Sequence, residues 1–286
     1  MESKVWLITG ASSGFGLELT RTASAKGHKV IASSRNPAKT PELVEEIKKN
    51  GGTWINLDVS GDNVSKVLSE AWDIYGHIDV LVNNAGFSIH GAFEDLGEAD
   101  IRTQYETNVF GVFKTMQAVL PRMRERKSGI IVNISSTGGL RALPGVSLYA
   151  GSKHALEGMT ESLAAEYAEH GVRLILVEPG PFRTNFLGKN ASQARPLSDA
   201  FRGTAVAKVL EHLEEPNGKQ PGDPKKAAQA IFDFCMGQGK AAELKKPYLR
   251  LLLGNPAVKS ANDKLDSLRE NFSAVESISR SVDFED

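Results

Sequence analysis

The chain has 286 residues, 41% hydrophobic and 24% charged, with a formal net charge of -1, which is the make-up of a soluble globule and offers no basic field to nucleic acid or anionic lipid. Its one cysteine, Cys235, excludes an internal disulfide and fits a reducing compartment, where it reads as a small buried apolar group. The longest uncharged run, Val80 to Phe93, falls short of the ~20 residues of a bilayer span, and no basic-then-apolar leader precedes Val5, so a cytoplasmic location is expected.

Apolar runs and amphipathic segments then alternate. Val5 to Thr9 predicts a strand, followed by a Gly-rich turn and a helix over Leu17 to Lys26 that Gly27 stops. Lys29 to Ser34 predicts a second strand, Pro41 to Lys49 a helix with Pro in its first turn, and Thr53 to Leu57 a third strand. Asp62 to Tyr75 reads as a helix and Asp79 to Asn83 as a fourth strand. A long helix is expected over Glu98 to Arg126 with a bend near Pro121. Gly129 to Ser135, a helix over Ser152 to Glu169 and a strand over Val172 to Glu178 complete the series. Strands this uniformly apolar are covered on both faces, so the expected fold is a single α/β domain with a doubly wound parallel sheet. Right-handed crossovers then bring the loop after every strand to one rim, where open sheets bind ligands.

Beyond Pro179 the pattern changes. Residues 181–222 are hydrophilic and punctuated by Pro196, Pro216, Gly218 and Pro221, with one helical piece near Ser198 to Leu213. An excursion of this length leaving the ligand rim reads as a mobile substrate lid. Pro224 to Met236 is again helical, Leu249 to Leu253 is a candidate seventh strand, Pro256 to Asn271 is amphipathic, and 272–286 is expected to fray.

Four loops carry the chemistry. The turn Gly10-Ala11-Ser12-Ser13-Gly14-Phe15-Gly16 lies between a strand and a helix, where glycines admit a pyrophosphate and the helix supplies N–H groups; a tight turn without a ligand is the lesser reading. No Gly-Lys-Ser/Thr follows, which argues against a P-loop. An acidic residue after the second strand would bind the 2′-hydroxyl of NAD, but this chain has Ser34-Arg35 there, a hydroxyl and a planar fork suited to a 2′-phosphate. NADP(H) is therefore the expected cofactor unless Arg35 is a solvated loop residue. Asp58 and Val59 follow the third strand, Asp58 either accepting from an adenine amino group or closing a turn. Asn84-Ala85-Gly86 can tie neighbouring loops together.

Tyr149 and Lys153 stand four apart on one helix face. A phenol, with an ordinary pKa near 10, is a weak base at neutral pH; a nearby ammonium and the positive charge of an oxidised nicotinamide both favour the phenolate, and lowering the pKa by about two units takes roughly 2.7 kcal/mol of differential interaction. Alone the pair could lie on the surface. Ser136 at the mouth of the preceding strand, and Asn108 on an apolar helix face beside Val109, Val112, Phe113 and Met116, point instead to a proton-transfer site, with Asn108 supporting a water that serves Lys153.

Residues Thr9 to Gly16, Asn83 to Gly86, Asn108, Ser136, Tyr149, Lys153 and Pro179-Gly180 with Thr184 resemble the short-chain dehydrogenase/reductase family in order and spacing, strongly over residues 4 to about 190. The stretches Tyr105 to Gly111 and Val177 to Thr184 resemble its 17β-hydroxysteroid dehydrogenase-like and retinol dehydrogenase-like branch. The resemblance implies Tyr149 as acid/base, Ser136 as orienter of the substrate oxygen, Lys153 on the nicotinamide ribose, Asn108 on a relay water, and Pro179, Gly180, Phe182 and Thr184 around the carboxamide. No catalytic position departs from the pattern. The expected activity is an NADP(H)-dependent carbonyl reductase or alcohol dehydrogenase; a regulator on the same fold, or an imine or enone reductase, are the other readings.

Expected substrate walls are Ser88, Ile89, His90, Leu140, Leu143, Val146, Phe182 and Phe186, mostly apolar, which implies a small lipophilic carbonyl or alcohol. His77, His154 and His170 lack metal-ligand spacing, so no metal is expected. The arc Val109, Phe110, Val112, Phe113, Met116, Val119 and Leu120 is wider than one sheet face needs, so a homodimer or homotetramer is expected.

Overall fold

The computed structural model describes residues 2–188, 191–214 and 218–284; Pro216 of the excursion lies outside the described residues. Seven strands form one sheet: β1 (Val5–Ile8), β2 (Lys29–Ser34), β3 (Thr53–Asn56), β4 (Val80–Asn83), β6 (Gly129–Ile134), β7 (Val172–Pro179) and β9 (Arg250–Leu253). Their order is β3-β2-β1-β4-β6-β7-β9 and every pairing is parallel. This is the doubly wound architecture expected from the alternation of apolar strands and helices, with β9 as the seventh strand. Strand order reverses between β1 and β4, which opens a crevice at their carboxyl ends.

The sheet is dry on both faces. Trp6, Ile8, Val30 and Val132 point to one layer with Phe232 and Ile231 of α8 (Pro224–Met236), where α1 (Gly14–Ala25) also packs. Leu7, Ile31, Leu81 and Ile131 point to the other, against Met116 and Leu120 of α5 (Gly111–Glu125), Leu68 of α3 (Val64–Ile74) and Leu156 of α6 (Ser147–Tyr167). The one-residue alternation along each strand delivers both layers. Two buried asparagines interrupt the strands, and each is satisfied. Asn83 Nδ2 donates to Asn133 Oδ1 at 2.8 Å, Asn133 Nδ2 donates to Thr160 Oγ1 at 2.8 Å, and Thr115 Oγ1 donates to Asn83 Oδ1 at 2.6 Å. Polar pairs buried in this way disfavour any other register of β4 on β6.

Three segments depart from expectation. The single long helix over Glu98 to Arg126 is instead α4 (Glu98–Tyr105), a π turn over Glu106–Phe110 and α5, with Pro121 inside α5. The π turn sits where Asn108 turns in to bond the 87 loop, a local demand that 3.6-residue periodicity does not report. The excursion is also more firmly held than its composition implies. Its β8 (Ser192–Ala194) pairs in parallel with β5 (Ser88–His90), and Arg195 bonds Asp100 at 2.5 and 2.9 Å. Its α7 (Ala205–Glu214) buries Ala207 and Leu210. Finally, residues expected to fray from 272 remain helical, because α9 (Asn255–Arg280) continues to Arg280. Local ion pairs such as Lys259–Asp263 and Arg280–Glu276 support it, while Phe272 and Ile278 stay exposed. Among the described residues no helix is long and apolar enough to cross a membrane.

The amino end of the sheet is tied by one buried acid. Asp79 Oδ2 accepts from Val5 N at 2.8 Å and Oδ1 accepts from Arg126 Nη2 at 3.0 Å. Burial opposes its charge, but these donors hold the carboxyl below its ordinary range. A group depressed in the folded state contributes stability above its unfolded pKa, near 4, and loses it as pH falls through the folded value. Asp79→Ala is expected to cost about 2–4 kcal/mol at pH 7. Urea denaturation should show the gap to wild type narrowing as pH drops below about 4; a gap independent of pH would contradict this.

Candidate active site

The loops after β1, β2, β3, β4, β6 and β7 line one cavity of about 680 Å³ at the carboxyl edge of the sheet. Its floor begins at the glycine turn, where Gly10, Ser12, Ser13, Gly14 and Phe15 all face the space. Gly14 opens α1 with φ +56°, a left-handed conformation that glycine adopts without penalty. Gly16 is not in the lining but packs beneath it: a Cβ there would stand 2.5 Å from both Gly10 O and Asn84 Nδ2. Asn84 locks the turn from the other side. Its Nδ2 donates to Thr9 O at 2.9 Å and Gly10 O at 3.1 Å, while Asn84 N and Ala85 N both donate to Thr9 Oγ1 at 3.0 Å. Ser13 is the extended residue before α1 and makes no side-chain cap, and the first turn holds no acid. The helix therefore keeps N–H groups and its positive end free for an anion. That donor set, under glycines and beside a cavity of this size, fits the pyrophosphate of a dinucleotide.

Ser34 and Arg35 line the same cavity at the end of β2. Ser34 Oγ accepts from Trp54 Nε1 at 3.1 Å and keeps its own proton to donate. Arg35 is exposed, and its guanidinium makes no hydrogen bond or ion pair with the described residues. Val59, Asn84, Ala85 and Gly86 also line the space. Asp58 does not. Its Oδ1 accepts from Ser60 N at 3.0 Å and Ser60 Oγ at 2.6 Å, so it closes a turn. Pro179, Gly180, Phe182 and Thr184 continue the wall after β7, with the Phe182 ring edge-on to Phe15 at 5.0 Å between centroids.

Ser136, Tyr149 and Lys153 come together at the far end of the cavity. Helix α6 starts at Ser147, earlier than periodicity indicates, so Tyr149 lies in its first turn and Lys153 one turn on. Lys153 is buried, its Nζ donating to Ile134 O at 2.7 Å and lying 5.8 Å from the Tyr149 ring centre. Ser136 Oγ accepts from Gly138 N at 3.0 Å and so is fixed at the start of its loop. The protonation states differ from the sequence expectation. Burial pushes the Tyr149 phenol up to about 12, with the Ser136 hydrogen bond acting the other way, and burial drives the Lys153 amine down to about 8 against the attraction of Glu157. Loss of hydration outweighs charge here: Lys153 lies over the ring face and donates to the Ile134 carbonyl. At neutral pH the phenol is a proton donor.

Asn108 stands behind this group rather than in the cavity lining. Its Oδ1 accepts from Phe87 N at 3.1 Å, and its Nδ2 donates to Phe87 O at 2.9 Å and Ser152 Oγ at 3.1 Å. Its amide is thus committed to the 87 loop and α6, which joins the β4 loop to the helix carrying Tyr149 and Lys153. Any contact with a water falls to the backbone of the π turn, where i→i−4 bonding is broken.

Of the expected substrate walls, Ser88, His90, Leu143, Val146, Phe182 and Phe186 face the cavity. Ile89 and Leu140 do not. Ile89 is buried with Phe87 and Leu148, because alternate residues of β5 face opposite ways. Sequence reasoning missed Arg141, in the loop after Ser136, and His212, Leu213, Gln220 and Ser260, which come from segments distant in the chain; none of them carries a motif. Among the described residues no cluster of three His, Cys, Asp or Glu is arranged to hold a metal ion.

The sequence profile of the family described as short chain dehydrogenase matches residues 4–195. The oxidoreductase claN of Passalora fulva is 45% identical over 210 residues, which is 73% of this chain and 95% of that protein. Retinol dehydrogenase 8 of Homo sapiens is 41% identical over 194 residues, covering 65% of this chain and 61% of its own length. Among solved structures, a short-chain dehydrogenase from Streptomyces avermitilis aligns with a TM-score of 0.89 at 40% identity, over 99% of this chain and 100% of that one.

Proposed function

Because this chain belongs to the short-chain dehydrogenase family, with relatives on the retinol dehydrogenase-like branch, we propose that it is an NADP(H)-dependent carbonyl reductase or alcohol dehydrogenase acting on a lipophilic small molecule in the cytoplasm. The observation that carries this reading is the meeting of Ser136, Tyr149 and Lys153 in the same cavity as the glycine turn. The bound dinucleotide supplies the hydride-transfer chemistry. Gly10 to Phe15 and the open end of α1 hold its pyrophosphate, with Ser34 and Arg35 on a 2′-phosphate. Lys153 anchors the adjoining ribose, and Pro179, Gly180, Phe182 and Thr184 frame the carboxamide. Ser136 donates to the substrate oxygen and stabilises charge growing there, while Tyr149 transfers its proton to that oxygen. The Asn108 turn holds the water from which Tyr149 is reprotonated through Lys153.

The lipophilic substrate is supported by Leu143, Val146, Phe186 and Leu213 on the open side of Tyr149, whose ring lies 5.7 Å from that of Phe186. The relative named for retinol, a lipophilic alcohol, points the same way. The chain is read as a single domain whose 181–222 segment is the substrate lid. Since β8 is pinned to β5, closure falls to α7, which reaches the cavity through His212 and Leu213. Phe110 and Phe113 are the surplus of the helical arc: they stay 48% and 36% exposed while Val109, Val112 and Met116 are buried. That surplus supports pairing between copies of this chain.

Two variants separate chemistry from binding. Tyr149→Phe should lower the stopped-flow rate of NADPH oxidation with carbonyl substrates by about 10²–10⁴ and leave NADPH affinity near wild type. Arg35→Ala should do the reverse, keeping the rate at saturation but losing about tenfold to a hundredfold in NADPH affinity, with little change for NADH. A phenylalanine variant with normal turnover, or an arginine variant with unchanged NADPH preference, would overturn the corresponding assignment. Light scattering should give a multiple of the 30.9 kDa chain mass; a monomer at micromolar concentration refutes the pairing. Amide exchange across 205–214 should slow when NADPH and a substrate fill the cavity, and equal protection with and without them would rule out the lid.

A further inference from the structure

Behind the site lies an ionic group that the mechanism does not use. Glu178, near the end of β7, is 1% exposed, and Glu157 on α6 is 5% exposed. Arg250 of β9 bridges them: its Nη1 bonds Glu178 Oε1 at 2.5 Å and also Glu157 Oε2. Its Nη2 stands 3.5 Å from Glu161, which is solvent-exposed. The remaining carboxyl oxygens, Glu157 Oε1 and Glu178 Oε2, are buried without a hydrogen-bond partner, as is Ser135 Oγ. A Cβ on Gly139 would lie 2.7 Å from Ser135 Oγ and 2.8 Å from Glu157 Oε1, so these two orphaned atoms flank the same point under the Ser136 loop.

One guanidinium against two buried carboxyl groups leaves an excess negative charge if both ionise, and burial makes that costly. Burial, then the charge of Glu157, pushes Glu178 up to about 7. Glu157 stands one helical turn beyond Lys153 on the same face of α6. The groups facing Lys153 are Tyr149 and Glu157 on α6, the Ile134 carbonyl on β6, and neutral Gly86 and Asn108. Those facing the carboxyl pair are Arg250, Glu161, Lys153 and the Ser135–Gly139 loop. Among the described residues, Glu157 is therefore the carboxyl group set against Lys153 along α6.

We propose that Glu157 is a positioning residue for the reaction: its carboxyl group, clamped by Arg250 one helical turn from Lys153, favours the ammonium form of that side chain beside Tyr149. The reaction it serves rests on the reading of Lys153 given above, whereas the electrostatic coupling is a property of the unliganded chain. The two carboxyl groups are not equivalent, because Glu157 shares a helix face with Lys153 and Glu178 stands on β7. Glu157→Gln removes the first and Glu178→Gln the second.

The decisive measurement is the pH dependence of Lys153 labelling by a small amine-reactive reagent on protein without cofactor, read by mass spectrometry of the peptide carrying it. Glu157→Gln should lower the midpoint by about one pH unit and raise labelling at pH 7 by up to about tenfold. Glu178→Gln should move it less than Glu157→Gln, the exposed control Glu161→Gln should leave it in place, and Glu157→Asp, which keeps the charge, should restore most of the shift. The high-pH limb of reductive kcat/KM should move in the same variant and the same direction. An unmoved midpoint in Glu157→Gln, or an equal shift in Glu178→Gln, overturns the proposal. Labelling does not require turnover, so failure of the proposed activity would be distinguishable from failure of this coupling.

Discussion

All seven strands of the main sheet run in one direction, and that constraint organises the molecule. A parallel strand can be followed by its neighbour only through a crossover, so every strand ends in a loop on the same edge. The glycine turn, Asn84, Ser136 and Pro179 are far apart in the chain and share a cavity wall for this reason alone. The reversal of strand order between β1 and β4 then parts the loops enough to leave a crevice. The Asn84 amide holds its two sides in register by bonding both Thr9 and Gly10.

Within that crevice the chemistry is governed by burial. Tyr149 and Lys153 have lost much of their hydration, and each is pushed toward its neutral form. Few waters separate charges in such a place, so a carboxylate one helical turn away still matters. The sheet brings that carboxylate into position indirectly: β9 pairs with β7 and so carries Arg250 across to Glu178 and Glu157. An edge strand thereby contributes to electrostatics at a site that it does not line.

The periphery obeys different rules. The arm of α9 beyond its first turns gains almost nothing from packing, and Ala257 is its only buried residue among those described. Its helicity rests on i,i+4 ion pairs of a few tenths of a kcal/mol each. The short β5–β8 ladder is intermediate: three residue pairs, closed by the Arg195–Asp100 bond, hold the root of the excursion while α7 rests on Gly145 through Val206 and Leu210.

Much of this was legible in the chain itself. Apolar runs of strand length, helices of three to five turns between them and glycines at their ends define the doubly wound sheet, since both faces of each strand must be covered. Tyr149 and Lys153 share a face by helical spacing, and Ser34-Arg35 stands at a strand end in any arrangement of this kind. Other features were decided only by contacts between distant segments. Periodicity predicted an unbroken helix through Asn108, but the Phe87 backbone draws that amide inward and opens a π turn. Position after β3 and β4 put Asp58 and Ile89 beside the ligand space, whereas Asp58 turns one carboxyl oxygen to Ser60 and the pleat of β5 buries Ile89. The lowered tyrosine pKa inferred from charge alone reversed once burial entered, because hydration lost from an anion depends on the whole enclosing fold. Nothing local in the sequence names the partners of Glu178. Arg250 and Glu157 reach it only when β9 closes the sheet, for a sequence records local periods and turn chemistry, while the field at a buried site is summed over residues that tertiary packing alone brings together.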